Sequence, residues 1–199
     1  DYLDLEINEI TNITQEDFNY KYPFLETLYL TNNNIARVEE GCFRGTQLRY
    51  IGVSENQLNY FPDFCEVNRT LKFINLYSNV ISKTSPGDVS CLAVLESLIL
   101  DSNPLVSLCD LVRLLPSLTS LNIKRMELNC CWSMVGMKDL PTLYTEIYPC
   151  LAPSSLIRVE WRVITKTQLN ETTCGKTVEY TYFQIILLNN FTIHVRQFS

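Results

Sequence analysis

The segment LETLYLTNNNI spans residues 25–35 and sets apolar residues at Leu25, Leu28, Leu30 and Ile35 around Asn33. Three further copies keep this spacing at intervals of 23 or 24 residues, in the segments 48–58, 71–81 and 95–105. A shorter copy precedes them and a degenerate copy follows, at residues 3–10 and 118–128. A fixed period of this length predicts a solenoid built from stacked repeats.

Each copy contains a Leu-x-Leu core whose alternation predicts a short strand with one buried face. One such strand cannot bury that face alone, so neighbouring copies are expected to stack and form a parallel sheet. The asparagine side chain can satisfy backbone groups of the bent chain after each strand and can bond to the neighbouring repeat. Further apolar residues are expected to fill the core from the convex side: Val38, Phe43, Phe61, Phe64, Leu108 and Leu111.

The repeated skeleton resembles the leucine-rich repeat over residues 2–129. The resemblance implies an α/β-type solenoid, a horseshoe with short parallel strands on its concave face and mostly irregular or short helical convex segments. We divide the chain into a solenoid of five to six coils at 1–129, a cysteine-rich cap at 130–175 and a tail at 176–199. The tail is expected to be β-like and to pack on the cap or at an interface.

A second pattern begins where the repeats end, and its most specific part is CLAPSSL at residues 150–156. It resembles the cysteine-rich C-terminal flanking module of extracellular leucine-rich-repeat proteins. A solenoid needs such a cap because its last repeat would otherwise leave an apolar face in water. The resemblance implies the pairs Cys130–Cys150 and Cys131–Cys174, and the swapped pairing stays open because the first two cysteines are adjacent here.

The remaining four cysteines allow two alternatives. Cys42 and Cys65 lie at the same offset from the asparagines of their repeats, and adjacent coils about 5 Å apart are within disulfide reach. This spacing favours Cys42–Cys65 and leaves Cys91 to pair with Cys109. The rival is Cys65–Cys91, with Cys42 and Cys109 free.

Cysteine content and charge indicate where the protein works. The chain contains 8 cysteines, which indicates an oxidising compartment. Four N-x-T sequons agree, at Asn12, Asn68, Asn170 and Asn190. We therefore predict an extracellular glycoprotein, either secreted or the ectodomain of a surface protein. The net charge of −6 without a Lys/Arg cluster gives nucleic-acid binding little support, and apolar runs such as residues 185–188 are too short to cross a membrane.

Sequence features that would carry catalysis are missing. The single histidine, His194, lies among alternating apolar residues without a positioned partner. Neither a Gly-rich phosphate loop nor an H-E-x-x-H segment occurs, and the cap cysteines lack the paired spacing of a zinc site. Asp4 and Glu6 are interpreted as a solvated strand face. We predict a protein that is not an enzyme and that uses no metal or cofactor.

Non-skeleton strand positions predict where a ligand binds, because they point to the concave face. Aromatic residues group there on consecutive coils, as in interface hot spots, and Gly52 is expected to leave a hollow beside them. The alternative is that these aromatics serve strand propensity alone. The predicted ligand-binding residues are Tyr29, Tyr50, Phe73, Asn75, Tyr77, Ile99, Asp101, Lys124 and Arg125.

The resemblance implies non-catalytic recognition outside the cell. We predict that the concave face binds a protein or peptide ligand, in innate defence or in cell-surface receptor signalling. The alternative function is a structural or adhesion module that self-assembles, for example as a homodimer. Such assembly would use the tail at 176–199 or the open strand edge of the first coil.

Overall fold

The computed structural model describes residues 1–108 and 111–174. Their main element is a sheet of seven short parallel strands, hydrogen-bonded in chain order. These strands are β1 (Tyr2–Asp4), β3 (Thr27–Tyr29), β5 (Tyr50–Gly52), β6 (Phe73–Asn75), β7 (Ser97–Ile99), β8 (Ser120–Asn122) and β10 (Thr142–Tyr144). The predicted solenoid is confirmed. The tail at 176–199, with Asn190 and His194, lies outside the described residues, as does Cys109.

The convex side and the cap combine strands of two or three residues with short helical segments. β2 (Asn12–Ile13) pairs with β4 (Arg37–Val38), and β9 (Leu128–Asn129) pairs with β11 (Cys150–Ala152). The short helices are α1 (Gln15–Phe18), α2 (Pro86–Val89), α3 (Leu111–Leu114) and α4 (Lys166–Asn170). Turns of 3₁₀ helix occupy Cys65–Val67, Trp132–Asp139, Ser154–Leu156 and Trp161–Val163. Among the described residues, no helix has the length and hydrophobicity needed to span a membrane.

The core lies between the sheet and the convex segments. Skeleton residues such as Leu28, Ile51 and Ile74 stand opposite one another on adjacent strands and are completely buried. From the other side, the rings of Phe43 and Phe64 pack with centroids 6.0 Å apart. All six predicted convex anchors are buried, which confirms that both halves of each repeat contribute to one core.

Asparagine side chains join each coil to the one before it. In Asn56, Oδ1 accepts a hydrogen bond from the Ile35 backbone N–H at 2.8 Å, and Nδ2 donates to the Leu30 carbonyl at 2.9 Å. Asn33, Asn79 and Asn103 form the same two bonds with their preceding coils. The predicted asparagine ladder is therefore confirmed, and it satisfies backbone groups that burial would otherwise leave unpaired.

The cap closes the solenoid with two disulfides and one more strand. Cys130 is bonded to Cys150 and Cys131 to Cys174, as the family resemblance implied. Within the cap, β10 extends the main sheet and sets Leu143 opposite Leu121. The sheet therefore continues past the last repeat that the sequence pattern showed.

The favoured pairs, Cys42 with Cys65 and Cys91 with Cys109, are both wrong. Cys65 is bonded to Cys91, and Cys42 is a buried free thiol. Equal offsets do not give equal side-chain directions here. Cys65 opens a 3₁₀ turn and is half-buried, whereas Cys42 is completely enclosed in the core. Burial raises the pKa of the Cys42 thiol, and the negative charge of Glu66 adds to this effect, so the thiol is unreactive.

Candidate ligand-binding face

Three aromatic rings lie in contact with one another along the strand side of the first coils. The ring centroids of Tyr29 and Tyr50 are 5.2 Å apart with a tilt of 50°. Those of Tyr50 and Phe73 are 4.8 Å apart, and the two rings are nearly parallel at 16°. We call Tyr29, Tyr50 and Phe73 the aromatic ladder. Each of its residues is half-buried, so the rings support one another and still present apolar surface to a ligand.

The expected hollow at Gly52 is filled. A Cβ atom at Gly52 would lie 3.2 Å from both Cε1 and the hydroxyl oxygen of Tyr50. The absence of a side chain therefore lets the Tyr50 ring lie across the strand. Gly52 therefore leaves room for the Tyr50 ring and does not form a pocket beside the aromatic ladder.

The Tyr50 hydroxyl lies in a partly desolvated environment. Burial raises the pKa of Tyr50, the side chain of Asn75 opposes this rise, and the negative charges of Tyr29 and Glu6 add to it. Glu6 lies on the first coil beside Thr31, because the Leu5 and Ile7 backbone N–H groups donate to the carbonyls of Tyr29 and Thr31.

Polar side chains connect the next positions along the face. The Asn75 carbonyl oxygen accepts a hydrogen bond from the Tyr77 backbone N–H at 3.0 Å, and its amide nitrogen lies 3.5 Å from Ser54 Oγ. The hydroxyl groups of Ser54 and Thr31 form a hydrogen bond, with Oγ and Oγ1 3.0 Å apart. Tyr77 and Ser54 therefore fix Asn75 beside the aromatic ladder, and Thr31 in turn holds Ser54.

The predicted aromatic group is smaller than expected. Tyr77 is half-buried on the same face, but it makes no ring contact with the aromatic ladder within residues 1–108 and 111–174. Ile99 stands opposite Asn75 and is also half-buried. Both residues extend the face toward the later coils.

Asp101 is buried, contrary to the expectation of an exposed charge. It is 8% exposed, and Tyr77 and Lys124 occupy the equivalent positions on the coils either side. Burial raises the pKa of the Asp101 carboxyl, while the charges of Arg125 and Lys124 lower it. One carboxylate oxygen, Oδ1, has no hydrogen-bond partner among the described residues.

Lys124 and Arg125 are exposed at the far end of the face, where the cap contributes neighbours that the sequence did not predict. The Lys124 ammonium lies 5.2 Å from the centroid of the Tyr144 ring. The Arg125 backbone N–H donates to Glu146 at 2.9 Å. The spacing Leu140-x-x-Leu143 repeats the first part of the skeleton. This spacing could have predicted a further strand that places Tyr144 on the same face.

The face also includes carboxylates that the sequence interpretation set aside. Asp4 stands directly opposite Tyr29 in the sheet register, and Glu6 lies two residues further along the same coil, beside Thr31. Asp4 Oδ1 accepts a hydrogen bond from the Glu6 backbone N–H at 3.0 Å, which fixes the Asp4 side chain at the rim of the aromatic ladder. The strand alternation of the first copy was the signal that placed both carboxylates on this side.

Metal-type ligands come together at one place in the described part of the chain, formed by Asp63, Cys65 and Cys91. The two sulfurs there are joined to each other in a disulfide. They are therefore not available as thiolate ligands, and this group does not make a metal site.

A parallel solenoid with an asparagine ladder and a disulfide-bonded C-terminal cap defines a class of protein. The described part of the chain has the leucine-rich-repeat fold, a solenoid with a disulfide-bonded cap. Residues 1–58 match the sequence family described as Leucine rich repeat.

Two curated relatives extend this similarity beyond the matched repeats. The chain is 28% identical over 151 residues to Toll-like receptor 2 type-2 of Gallus gallus. This alignment covers 65% of the chain and 19% of that receptor. It is 33% identical over 105 residues to Podocan-like protein 1 of Homo sapiens. This alignment covers 51% of the chain and 20% of that protein. The chain thus spans about a fifth of the length of these relatives.

Two solved structures share the fold. The Toll–Spatzle complex of Drosophila matches with a TM-score of 0.61 and 17% identity, over 84% of this chain and 29% of the matched chain. The functional domain of InlJ from Listeria monocytogenes matches with a TM-score of 0.59 and 21% identity, over 84% and 33%. At these identities the likeness shows the fold alone.

Proposed function

We propose that this protein recognises a protein or peptide ligand through its concave face, without catalysis. The observation that carries the proposal is the aromatic ladder, in which three half-buried rings lie in successive contact on the strand face. Such rings offer a large contact area at low conformational cost, and residues of this kind dominate binding energy at interfaces.

The positions of the sequons support the concave face as the open surface. Asn12 lies on β2 of the convex side, Asn68 follows a 3₁₀ turn, and Asn170 ends helix α4 in the cap. None of these three described sequons lies on a strand of the main sheet. Glycans at Asn12, Asn68 and Asn170 would therefore leave the aromatic ladder accessible.

We propose an extracellular setting in innate defence or receptor signalling. Three disulfides among the described residues fit an oxidising compartment. The similarity to a Toll-like receptor supports a recognition role for this segment. Expression of the complete coding sequence in animal cells would distinguish a secreted protein from an ectodomain held at the cell surface.

Selection of peptides from a random library displayed on phage tests the recognition role. We expect peptides selected on the folded 199-residue chain to lose about tenfold or more in affinity when Tyr50 and Phe73 are both changed to alanine. The matched control changes Tyr20 and Phe24, which are also aromatic and exposed but lie in the loop before β3. Equal loss in both variants, or no loss in the first, would contradict the proposal.

Self-association is the second candidate, and exposed apolar residues at the first coil favour it. Tyr2, Ile7 and Phe24 are 75%, 77% and 72% exposed, and β1 has a strand partner on one side only among the described strands. Light scattering over a range of concentrations tests it. A mass that rises toward that of a dimer supports assembly, and a constant monomer mass contradicts it.

A further inference from the structure

Charge is distributed unevenly along the strand face. The face positions of the first four coils hold three carboxylates, Asp4, Glu6 and Glu55, and no lysine or arginine. Two basic residues precede strands β5 and β6, but Arg49 is already paired with Glu26 at 3.8 Å and Lys72 with Glu96 at 2.5 Å. Cations first appear on the face at the sixth coil.

The three carboxylates lack a cationic partner of their own. Asp4, Glu6 and Glu55 form no salt bridge with any residue of the described ranges. Asp4 stands opposite Tyr29 of the aromatic ladder, and Glu6 lies two residues further along the same coil, beside Thr31. Carboxylates beside the faces of aromatic rings form the surroundings that stabilise a ligand cation.

The charge of the face changes sign at its far end. Asp101 on the fifth coil is buried, whereas Lys124 and Arg125 on the sixth coil are exposed. These two cations set the limit of the region that attracts positive charge.

We propose that the first five coils bind a basic peptide segment whose arginine or lysine side chains lie on the aromatic ladder and pair with Asp4 and Glu6. This inference rests on the proposed function and names its ligand class. A guanidinium group suits the site better than an ammonium group. Its planar face stacks on Tyr50 or Phe73 while its edge donates to a carboxylate.

The test uses peptides from the random library that bind the whole chain at about 150 mM salt, where long-range attraction is screened, and that depend on Tyr50 and Phe73. We expect arginine and lysine to be enriched in them above the library frequency. Changing Asp4→Asn together with Glu6→Gln should weaken the best peptide by about tenfold. Asn at position 4 keeps the acceptor for the Glu6 backbone N–H, so the strand end is preserved.

A matched control removes the same charge elsewhere. Glu40 and Glu171 are exposed on the convex side and in the cap, and Glu40→Gln with Glu171→Gln should change the affinity by less than about twofold. Equal weakening by both pairs would show a general attraction to the acidic protein and overturn the inference. Ladder-dependent peptides without enriched arginine or lysine would overturn it and leave the proposed function standing. A library that yields no ladder-dependent peptide would contradict the proposed function itself.

Discussion

Replacing Asn56 with alanine should destabilise the protein by about 3–5 kcal/mol, because several buried backbone groups lose their partner at once. The side chain accepts from the Ile35 N–H and donates to the carbonyls of Leu30, Val53 and Ser54. Asn56 is only 8% exposed, so water cannot replace these bonds without opening the stack. The loss should appear in urea unfolding followed by far-ultraviolet circular dichroism.

Asn34 supplies the control for this substitution. It is the same residue type, one position after a ladder asparagine, and it is exposed. Asn34→Ala should change the free energy of unfolding by less than about 0.5 kcal/mol. If Asn56→Ala were as stable as Asn34→Ala, the asparagine ladder would not hold the coils together.

Removing the disulfide between Cys131 and Cys174 should destabilise the cap by about 4 kcal/mol. The bond joins residues 43 positions apart, and the chain-entropy relation assigns about this value to a loop of that length. The double change Cys131→Ala with Cys174→Ala avoids leaving a free thiol. Both tryptophans, Trp132 and Trp161, lie in the cap, so tryptophan fluorescence in urea reports cap unfolding separately from the circular dichroism of the solenoid.

The control for the cap is Cys42→Ala, which removes a cysteine that is not bonded. Its side chain is buried in the solenoid core, so the expected loss is about 1 kcal/mol and appears in the solenoid transition. A cap transition unchanged by the Cys131→Ala and Cys174→Ala pair would show that the bond adds nothing to the cap.

Residues that repeat in the sequence were the ones whose structure could be predicted. The spacing of Leu28, Ile51 and Ile74 fixes the register of the strands, because each repeat places its buried residue at the same position along its strand. Asn56 and its equivalents followed for the same reason. The cap strand β10 was missed because Leu140 and Leu143 keep the skeleton spacing but no asparagine follows them.

Side-chain direction and burial could not be predicted from spacing. Cys42 and Cys65 share an offset, yet one lies in the core and the other begins a 3₁₀ turn. Gly52 was expected to leave a hollow, but the ring of Tyr50 fills that space. Asp101 was expected on the ligand-binding face, but it is buried. These outcomes depend on contacts between repeats, which a pattern within one repeat does not contain.

The most direct measurement places a glycan on the concave face. Tyr77→Thr completes the sequon N-L-T at residues 75–77 on strand β6, beside the aromatic ladder, and Tyr77→Val is the matched change without a sequon. Mass spectrometry confirms the glycan, and circular dichroism confirms the fold of both variants. We expect a ladder-dependent peptide to bind the glycosylated Thr variant about a hundredfold or more weakly than the Val variant, which lacks the same tyrosine but carries no glycan. Equal binding to both variants would contradict recognition through this face.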